Sequence, residues 1–321
     1  MKDTNLPEVK KKVSIVIPTF NEIQNVEPFV EAVQKELTEN LSEYDYEIII
    51  IDNHSTDGTE DKIEELCKRN KKIKAIFNLK NYGPDNSPYY GMMQSTGDCA
   101  IMICCDFQDP IEMIHKMVRI WEKGSPVVIG LKDEKAEGFF LHQLRNLYYR
   151  IISKFSEVDL IRQFTGFGCF DKSLIEIMRN LDDPVPFFRG VVAEFSSDND
   201  RAYIHYPHLK RKAGHSHIRF DVLYDIAMRS FTSYTKVGLR LASFLGYIVA
   251  FLSLLVSFYY LIMKLTHWDD FEVGVPAVIV GLFFISAVQL IFLGFLGEYI
   301  LSINHRIMKR PIVTEKKRIN F

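Results

Sequence analysis

Tryptophan and cysteine are scarce in this 321-residue sequence, with 2 and 5 residues, and neither sign of charge is in large excess. The number of cysteines is odd, and Cys104 and Cys105 are adjacent, which argues against a disulfide framework and favours a reducing compartment. The formal net charge of −2 argues against binding through overall charge to nucleic acid, so we expect no nucleic-acid partner.

Several motifs that identify nucleotide-binding or metal-binding proteins are also missing. The sequence has no GxxxxGKS or GxxxxGKT, which excludes a Walker-type phosphate loop. No GxGxxG follows the first β-branched run, which argues against a dinucleotide-binding fold. HExxH and paired CxxC motifs are absent as well.

Two long apolar runs are the clearest feature that the sequence does contain. Leu241–Met263 and Val273–Gly297 hold no Asp, Glu, Lys or Arg, and a helix needs about 20 apolar residues to span a bilayer. We therefore predict two transmembrane helices, the alternative being a pair of buried helices in a large soluble core. Basic residues flank both outer ends, so the positive-inside rule predicts that the N-terminal domain and both termini are cytoplasmic.

The stretch before the first apolar run has apolar residues at helical spacing. Asp221–Lys236 predicts either an amphipathic helix on the inner leaflet or an ordinary helix packed on the soluble domain. The predicted organisation is an α/β domain over 1–220, a juxtamembrane helix over 221–240, two transmembrane helices over 241–301 and a basic cytoplasmic tail over 302–321. Because Met1–Lys12 is polar, we expect no signal peptide. The two predicted spans lead us to expect a multi-pass protein of the inner (plasma) membrane, with the lipid bilayer as a partner.

Short β-branched runs alternate with helical patterns in the N-terminal part of the chain. The predicted strands are Val13–Ile17, Glu47–Ile51, Ile73–Phe77, Ala100–Cys104 and Val127–Gly130. The predicted helices are Val26–Leu37, Thr59–Arg69, Ser87–Ser95 and Ile111–Glu122. Continuous apolar strands that alternate with helices are typical of a Rossmann-like α/β fold, with a mostly parallel sheet covered on both faces.

Polar segments follow the predicted strands, at the edge where such sheets bind ligands. These segments are Pro18–Glu22, Asp52–Asp57, Asn78–Gly83 and Asp106–Pro110. Asp52 ends an apolar strand, where a carboxylate has no packing value. Ser55–Thr59 is also explained by capping of the next helix alone, and Asp109 with Pro110 predicts a second helix start. Asp106, Gln108 and Asp109 offer oxygen ligands that suit Mg²⁺ or Mn²⁺ on the diphosphate of a sugar donor.

Three motifs, in order, give the sequence a family resemblance. Residues 13–22 (VSIVIPTFNE), 51–59 (IDNHSTDGT) and 106–110 (DFQDP) resemble those of the family 2 glycosyltransferases of GT-A fold. With its two apolar runs, the chain is most similar to the polyprenyl-phosphate glycosyltransferases, which include dolichol-phosphate mannose synthases and bactoprenol glucosyltransferases. The resemblance implies a nucleotide-sugar donor, with a UDP-sugar favoured, a polyprenyl (undecaprenyl) phosphate acceptor, and inversion at the anomeric carbon in one displacement.

The resemblance also implies roles for individual residues. Nucleotide binding is expected from a group around the first three strand ends, namely Pro18, Phe20, Glu22, Asp52 and Asn81. Asp106 and Gln108 are expected to hold the Mg²⁺ or Mn²⁺ ion. Asp106 and Asp109 are the candidate catalytic residues, with Asp109 also expected to cap the following helix and to face the sugar.

Two departures from the family pattern bear on the chemistry. Cys104 stands where the first aspartate of the metal loop is usual, although like Cys105 it is expected to behave as a small apolar residue at the end of a buried strand. Gly166 stands where the family often has an aspartate. A sugar hydroxyl needs a general base, whereas a lipid phosphate, with a second pKa of about 6, is already an anion near neutral pH.

An anionic acceptor needs cations to position it. The candidates for binding the lipid phosphate are Lys132, Arg145, Arg189, Arg211 and Ser216, of which Arg211 and Ser216 lie in a run that resembles the family's Arg-x-x-Gly-x-Ser-Lys. For Lys132 and Arg145, a solvated surface charge is the alternative.

Two other functions stay open at this point. The first is a transferase of the same fold that acts on a glycolipid or polysaccharide hydroxyl, for which Asp109 is the one evident base. The second is a non-catalytic protein that binds nucleotide sugars, since two carboxylates of the family pattern are replaced. Glycines in the second apolar run permit close helix approach and favour a homo-oligomer; they are Gly274, Gly281, Gly294 and Gly297.

Overall fold

The computed structural model describes residues 10–133, residues 161–209 except 162, 182, 185 and 208, isolated positions between 228 and 266, and residues 275–321. The chain divides into two compact units. The first joins the N-terminal domain to the C-terminal segment Lys309–Phe321, and the second consists mainly of Phe220–Met308.

Strands and helices alternate in the first unit, as the apolar pattern predicts. In chain order they are β1 Lys12–Thr19, α1 Val26–Asn40, β2 Asp45–Asp52, α2 Thr59–Arg69, β3 Ile73–Asn78, α3 Gly83–Met93, β4 Cys99–Met102, α4 Met113–Glu122, β5 Val127–Lys132, β6 Phe164–Asp171, α5 Lys172–Asn180, α6 Phe188–Glu194, β7 Arg201–Tyr206 and, after helix α7 Val275–Ile307 of the second unit, β8 Glu315–Ile319. The five predicted strands and four predicted helices are confirmed to within a few residues.

The strands form one eight-stranded sheet with the order β7-β5-β6-β4-β1-β2-β3-β8. Strands β4, β1, β2 and β3 are neighbours and parallel, and β7 is parallel to β5. Because β6 is antiparallel to both β4 and β5, β5 runs in the same direction as β4. The carboxyl ends of β1 to β5 and of β7 therefore meet at one edge of the sheet, together with the start of β6.

Both faces of the sheet are covered, which explains why its strands are apolar without alternation. One face of β1 presents Val13, Ile15 and Ile17 to buried side chains of α1, α2 and α4. The opposite face of the central strands packs against α3, α5 and α6, with Val16 and Ile51 in contact with that second core. Because helices cover both faces, a ligand can reach the sheet at the ends of its strands.

The C-terminal end of the chain is the main difference from the predicted organisation. The prediction of a basic tail over 302–321 is wrong, because α7 continues to Ile307 and β8 then pairs antiparallel with β3. The basic side chains of β8 form ion pairs with helix α2, with 2.8 Å from Lys316 to Glu60 and 2.6 Å from Lys317 to Glu64. Strand β8 reads EKKRI, four charged residues before one apolar residue, so no local pattern predicts a strand, and its pairing partner β3 lies far away in sequence.

The second unit contains one long described helix, α7. Within the described residues, one stretch is long and apolar enough to cross a membrane, Phe284–Asn304, with a mean hydropathy of 1.8. The first predicted run, Leu241–Met263, and the predicted juxtamembrane helix over 221–240 lie outside the described residues apart from isolated positions.

Candidate active site at the carboxyl edge of the sheet

The loops that follow β1 and β2 are joined by hydrogen bonds between side chains of one and backbone of the other. The backbone nitrogen of Asn21 donates to Oγ of Ser55 at 2.8 Å, and that of Glu22 donates to Oγ1 of Thr59 at 3.0 Å. In return, Thr56 donates its backbone N–H to Oδ1 of Asn21 at 2.9 Å. Capping alone therefore does not explain this motif, and the N-cap residue of α2 is Gly58, with φ of 96° and no side-chain bond.

Asp52, at the end of β2, is fully buried beneath these loops. Its carboxylate accepts two hydrogen bonds from Ser55, at 2.5 Å from Oγ and 2.9 Å from the backbone nitrogen, and a longer one from Thr19. Burial raises the pKa of Asp52, and the hydrogen bonds from Ser55 oppose that rise. Asp52 thus organises the loops, and its predicted contact with a nucleobase stays a prediction.

Three asparagines connect the ends of β2 and β3. Oδ1 of Asn53 accepts from Nδ2 of Asn78 at 3.1 Å and from the backbone of Tyr82 at 2.9 Å, and Nδ2 of Asn53 donates to Asn81 at 2.9 Å. Asn81 also accepts from the backbone nitrogen of Gly83 at 2.8 Å, which fixes the start of α3. Asn53 and Asn78 were not among the predicted site residues, although both belong to the polar segments at the ends of β2 and β3.

Asp106 lies in a tight turn beyond the end of β4. It is half-buried, and its Oδ1 accepts a hydrogen bond from the backbone nitrogen of Gln108 at 3.1 Å. Between them, Phe107 has a φ of 59° and packs edge-on against Phe29 at 4.9 Å. Burial raises the pKa of Asp106, the bond from Gln108 lowers it, and the nearby charge of Asp109 raises it. The turn therefore concentrates acceptor oxygens at the edge of the sheet.

The donor set of this turn fits a divalent cation that is shared with a ligand. Within the described ranges, no group of three or more His, Cys, Asp or Glu side chains could hold a metal ion by itself. Asp106 and Gln108 offer one carboxylate and one amide oxygen, and Mg²⁺ in enzymes commonly takes one or two protein oxygens, with phosphate oxygens and water completing its coordination. The two residues thus suit a metal that binds together with a diphosphate.

Asp109 does not cap a helix, which corrects the prediction for that residue. Helix α4 begins at Met113, and its N-cap residue Glu112 makes no side-chain capping bond. The almost fully buried Asp109 instead accepts a hydrogen bond from the hydroxyl of Tyr206 at 2.6 Å. Its Oδ1 also lies 3.6 Å from Nζ of Lys132. The structure thus brings together one predicted catalytic residue and one predicted phosphate-binding residue.

Tyr206, at the end of β7, is a further site residue that the sequence does not predict. It is fully buried, and its ring packs edge-on against Phe167 at 5.2 Å. Burial, followed by the charge of Asp109, raises the pKa of Tyr206, while a hydrogen bond with Thr165 lowers it. The hydroxyl is consequently a stable proton donor. No local signal marks it, since the segment RAYIHY reads as an ordinary strand.

Gly166 occupies a position that an aspartate could not take without rearrangement. Its φ is +111°, and a Cβ built there would lie 2.2 Å from Cε of Met102. A side chain at this position would therefore strain the backbone, and it would also displace the flexible end of the Met102 side chain. The left-handed backbone conformation at Gly166 therefore accounts for a glycine at this position, where the family often has an aspartate.

The two adjacent cysteines have different surroundings. Cys105 is buried among apolar side chains, which confirms the prediction for that residue. Cys104 is exposed, and the prediction that it packs as a small apolar residue is wrong, because β4 ends at Met102 and Cys104 lies in the turn beyond it. An exposed thiol thus stands two residues before Asp106, where the family resemblance leads one to expect a carboxylate.

The remaining predicted residues lie at the end of β1 and in the loop after it, in α6, and outside the described part of the chain. Pro18 and Phe20 are half-buried beside the first loop, and Glu22 is buried and accepts a hydrogen bond from Asn25 at 2.7 Å. The guanidinium of Arg189 stacks 4.9 Å above the ring of Phe187. The other candidates for the lipid phosphate, Arg145, Arg211 and Ser216, lie outside the described residues.

The comparison with protein families decides the assignment. Residues 14–177, just over half of the chain, match the family described as glycosyl transferase family 2. The chain belongs to glycosyl transferase family 2. The matched range covers every strand end discussed above except those of β7 and β8, and this protein is therefore a glycosyltransferase.

Relatives of similar length share this assignment. A bactoprenol glucosyl transferase of Shigella phage SfX is 28% identical over 308 residues, which cover 96% of this chain and 99% of that protein. The putative glycosyltransferase CsbB of Bacillus subtilis (strain 168) is 29% identical over 302 residues, covering 93% of this chain and 89% of that protein. Among solved structures, glucosyl-3-phosphoglycerate synthase from Mycobacterium tuberculosis in complex with UDP has a TM-score of 0.48 at 16% identity, covering 69% of this chain and 78% of that one.

Proposed function

We propose that this glycosyltransferase moves a sugar from a UDP-sugar to a polyprenyl phosphate at the cytoplasmic face of the inner (plasma) membrane, with inversion at the anomeric carbon. The observation that carries the proposal is the contact between Asp109 and Lys132, in which Nζ of the lysine lies 3.6 Å from Oδ1 of the aspartate. Asp109 stands three residues after Asp106, at the same edge of the sheet. A cation thus stands beside the predicted diphosphate site, where an anionic acceptor has to approach. Full-length similarity to a protein named bactoprenol glucosyl transferase supports the lipid acceptor and makes glucose the first sugar to test.

The proposed reaction is one displacement. A phosphate oxygen of the acceptor forms a bond to the anomeric carbon while the bond from that carbon to the β-phosphate oxygen breaks, and the electron pair leaves with UDP. A divalent cation held by Asp106 and Gln108 would neutralise charge on the leaving diphosphate. Lys132 is assigned to the acceptor phosphate, and the loops joined through Asp52 and Ser55 are assigned to the nucleoside.

The absence of a carboxylate at Gly166 is consistent with a phosphate acceptor. A hydroxyl acceptor has to lose a proton during the reaction, and a positioned base accelerates that transfer by about 10²- to 10⁴-fold. A phosphate with a second pKa of about 6 has already lost it near neutral pH. Asp109 is the acid that lies within 4 Å of the proposed acceptor cation in the described part of the chain, and its Oδ1 already accepts a hydrogen bond from Tyr206.

The membrane topology is proposed from the connectivity of the chain. Strand β8 follows α7 and pairs with β3, so the residues on both sides of the second unit belong to one sheet. If α7 crosses the bilayer, the chain has to cross it a second time before residue 275 for β8 to reach the side on which β3 lies. The apolar run Leu241–Met263 is the segment of suitable length.

Thiol labelling in intact cells tests this topology. In a variant without native cysteines, a cysteine at Thr266, between the two apolar runs, is expected to react with a membrane-impermeant maleimide. A cysteine at Lys309 is expected to react only after the cells are permeabilised. Labelling of both positions from the same side would contradict the two-span proposal.

Transfer to a lipid phosphate tests the function itself. Purified protein is incubated with undecaprenyl phosphate, Mn²⁺ and a panel of labelled UDP-, GDP- and dTDP-sugars. We expect a labelled lipid with UDP-glucose or another UDP-sugar. Absence of any labelled lipid across the panel, with metal-independent nucleotide-sugar binding retained, would instead favour a non-catalytic binding protein.

A further inference from the structure

We propose that Tyr206 is a positioning residue for the acceptor, whose hydroxyl satisfies Asp109 and thereby leaves the ammonium group of Lys132 available to bind the acceptor phosphate. The inference rests on the proposed function, because it assigns a phosphate to Lys132. It adds a residue of β7, outside the part of the chain that matches the family, to the predicted site.

The geometry of the three residues distinguishes a hydrogen bond from an ion pair. Tyr206 donates to Oδ1 of Asp109 at 2.6 Å, the distance of a strong hydrogen bond to a carboxylate. Nζ of Lys132 is 3.6 Å from the same oxygen, beyond the roughly 2.7–3.2 Å of an N–H···O bond. At these distances Asp109 attracts Lys132 by charge without accepting one of its N–H groups, while Tyr206 supplies a hydrogen bond to the carboxylate.

Burial makes this arrangement sensitive to a single hydroxyl. Tyr206 is fully buried, Asp109 is 4% exposed and the side chain of Lys132 is 23% exposed, so the pair opens to solvent on the lysine side. A buried carboxylate that loses a donor takes the nearest replacement, because an unsatisfied charge away from water is costly. Without the hydroxyl of Tyr206, Lys132, whose Nζ lies 3.6 Å from the same oxygen, would close on Asp109 and lose N–H donors for the phosphate.

Tyr206→Phe tests the proposal with little disturbance of packing, because phenylalanine keeps the ring that contacts Phe167. We expect the KM for undecaprenyl phosphate to rise about tenfold, as for loss of a hydrogen bond to a charged group, with kcat within about twofold. The dissociation constant of UDP, measured by calorimetry with Mn²⁺, is expected to stay unchanged. In a Lys132→Ala background, the same substitution is expected to have no further effect on the KM.

Tyr89→Phe is the matched control. Tyr89 is also fully buried and its hydroxyl donates to the backbone oxygen of Met178 at 3.2 Å, between α3 and α5. Tyr89→Phe removes one buried tyrosine hydroxyl outside the site, so we expect the KM of this variant for undecaprenyl phosphate to equal that of the wild type.

Three outcomes would overturn the proposal, and they differ in what they say of the function. An unchanged acceptor KM in Tyr206→Phe contradicts the positioning role alone. Equal effects of Tyr206→Phe with and without Lys132, or a matching loss of UDP affinity, indicate a purely structural role for the hydroxyl. A wild-type protein that neither binds nor glycosylates undecaprenyl phosphate contradicts both the inference and the proposed function.

Discussion

Ser55 donates two hydrogen bonds to the carboxylate of Asp52, from its hydroxyl at 2.5 Å and from its backbone nitrogen at 2.9 Å. The same hydroxyl oxygen accepts from the backbone of Asn21, which lies in the loop after β1. One side chain thus joins two strand ends through a fully buried acid. The proposed nucleoside pocket depends on this link, because the segments on both sides of it are loops.

Replacement of Ser55 by alanine is therefore expected to disturb both stability and donor binding. The change leaves Asp52 with one donor fewer and the backbone N–H of Asn21 without its acceptor, which should cost about 1–3 kcal/mol of unfolding free energy. We expect weaker binding of UDP in calorimetry. The exposed Ser42→Ala is the control, and unchanged UDP affinity in Ser55→Ala would contradict the assignment of these loops to the nucleoside.

Much of the fold could be predicted from sequence because its strands are buried on both faces. A continuous β-branched run such as Val13–Ile17 predicts a strand that is buried on both faces. The polar residues after it indicate the edge of the sheet at which ligands bind. Tyr206 and β8 could not be predicted in the same way. Their roles depend on partners distant in sequence, Asp109 for Tyr206 and β3 for β8, and no local periodicity encodes such a pairing.

A second prediction concerns Glu47, which is buried in the sheet away from the proposed site. Burial by itself raises the pKa of Glu47, but hydrogen bonds from Lys74, Ser14, Lys12 and the backbone of Thr96 outweigh it and lower the pKa from 4.5 to about 2. The ionised form is thus favoured in the folded state. The corresponding stabilisation is about 3 kcal/mol, present above pH 4.5 and lost as the pH falls towards 2.

Urea-induced unfolding at several pH values checks this prediction. Glu47→Gln is expected to lower the unfolding free energy by about 3 kcal/mol near neutral pH, with a difference from wild type that shrinks as the pH falls below about 4.5. Asp45 lies in the same strand as Glu47 and forms a surface ion pair with Lys72. Asp45→Asn removes that pair and is expected to lower the unfolding free energy by less than about 1 kcal/mol. A pH-independent difference for Glu47→Gln would show that its charge is not the cause.

A third prediction concerns Cys104, the exposed thiol two residues before Asp106. Its replacement by aspartate adds a hard anionic ligand where the thiol now stands, so the affinity for Mg²⁺ in the presence of UDP is expected to rise about tenfold. Cys104→Ser, which adds no charge, is the control. Calorimetric titration with Mg²⁺ measures the change, and equal affinities in the two variants would argue against a metal at this turn.

A fourth prediction concerns the attachment of β8. Nδ2 of Asn320 donates to the backbone oxygens of Cys67 and Ile73, at 2.9 Å and 2.7 Å, and Asn320 has a φ of 63°. Asn320→Gly removes both bonds without backbone strain and is expected to cost about 1–3 kcal/mol. Lys317→Ala, which breaks an exposed ion pair, should cost less than about 1 kcal/mol. Equal stabilities of both variants in urea-induced unfolding would mean that β8 adds little to the sheet.

The most direct test of the account compares sugar transfer to undecaprenyl phosphate by the wild type and by Asp106→Asn. Asparagine keeps the size of the side chain but removes the charge expected to hold the cation on the diphosphate. We predict a glucosylated lipid phosphate with inverted anomeric configuration from the wild type, and at least about a hundredfold slower transfer by the variant. Equal rates, or a product in which the sugar is attached to a hydroxyl group, would contradict the account.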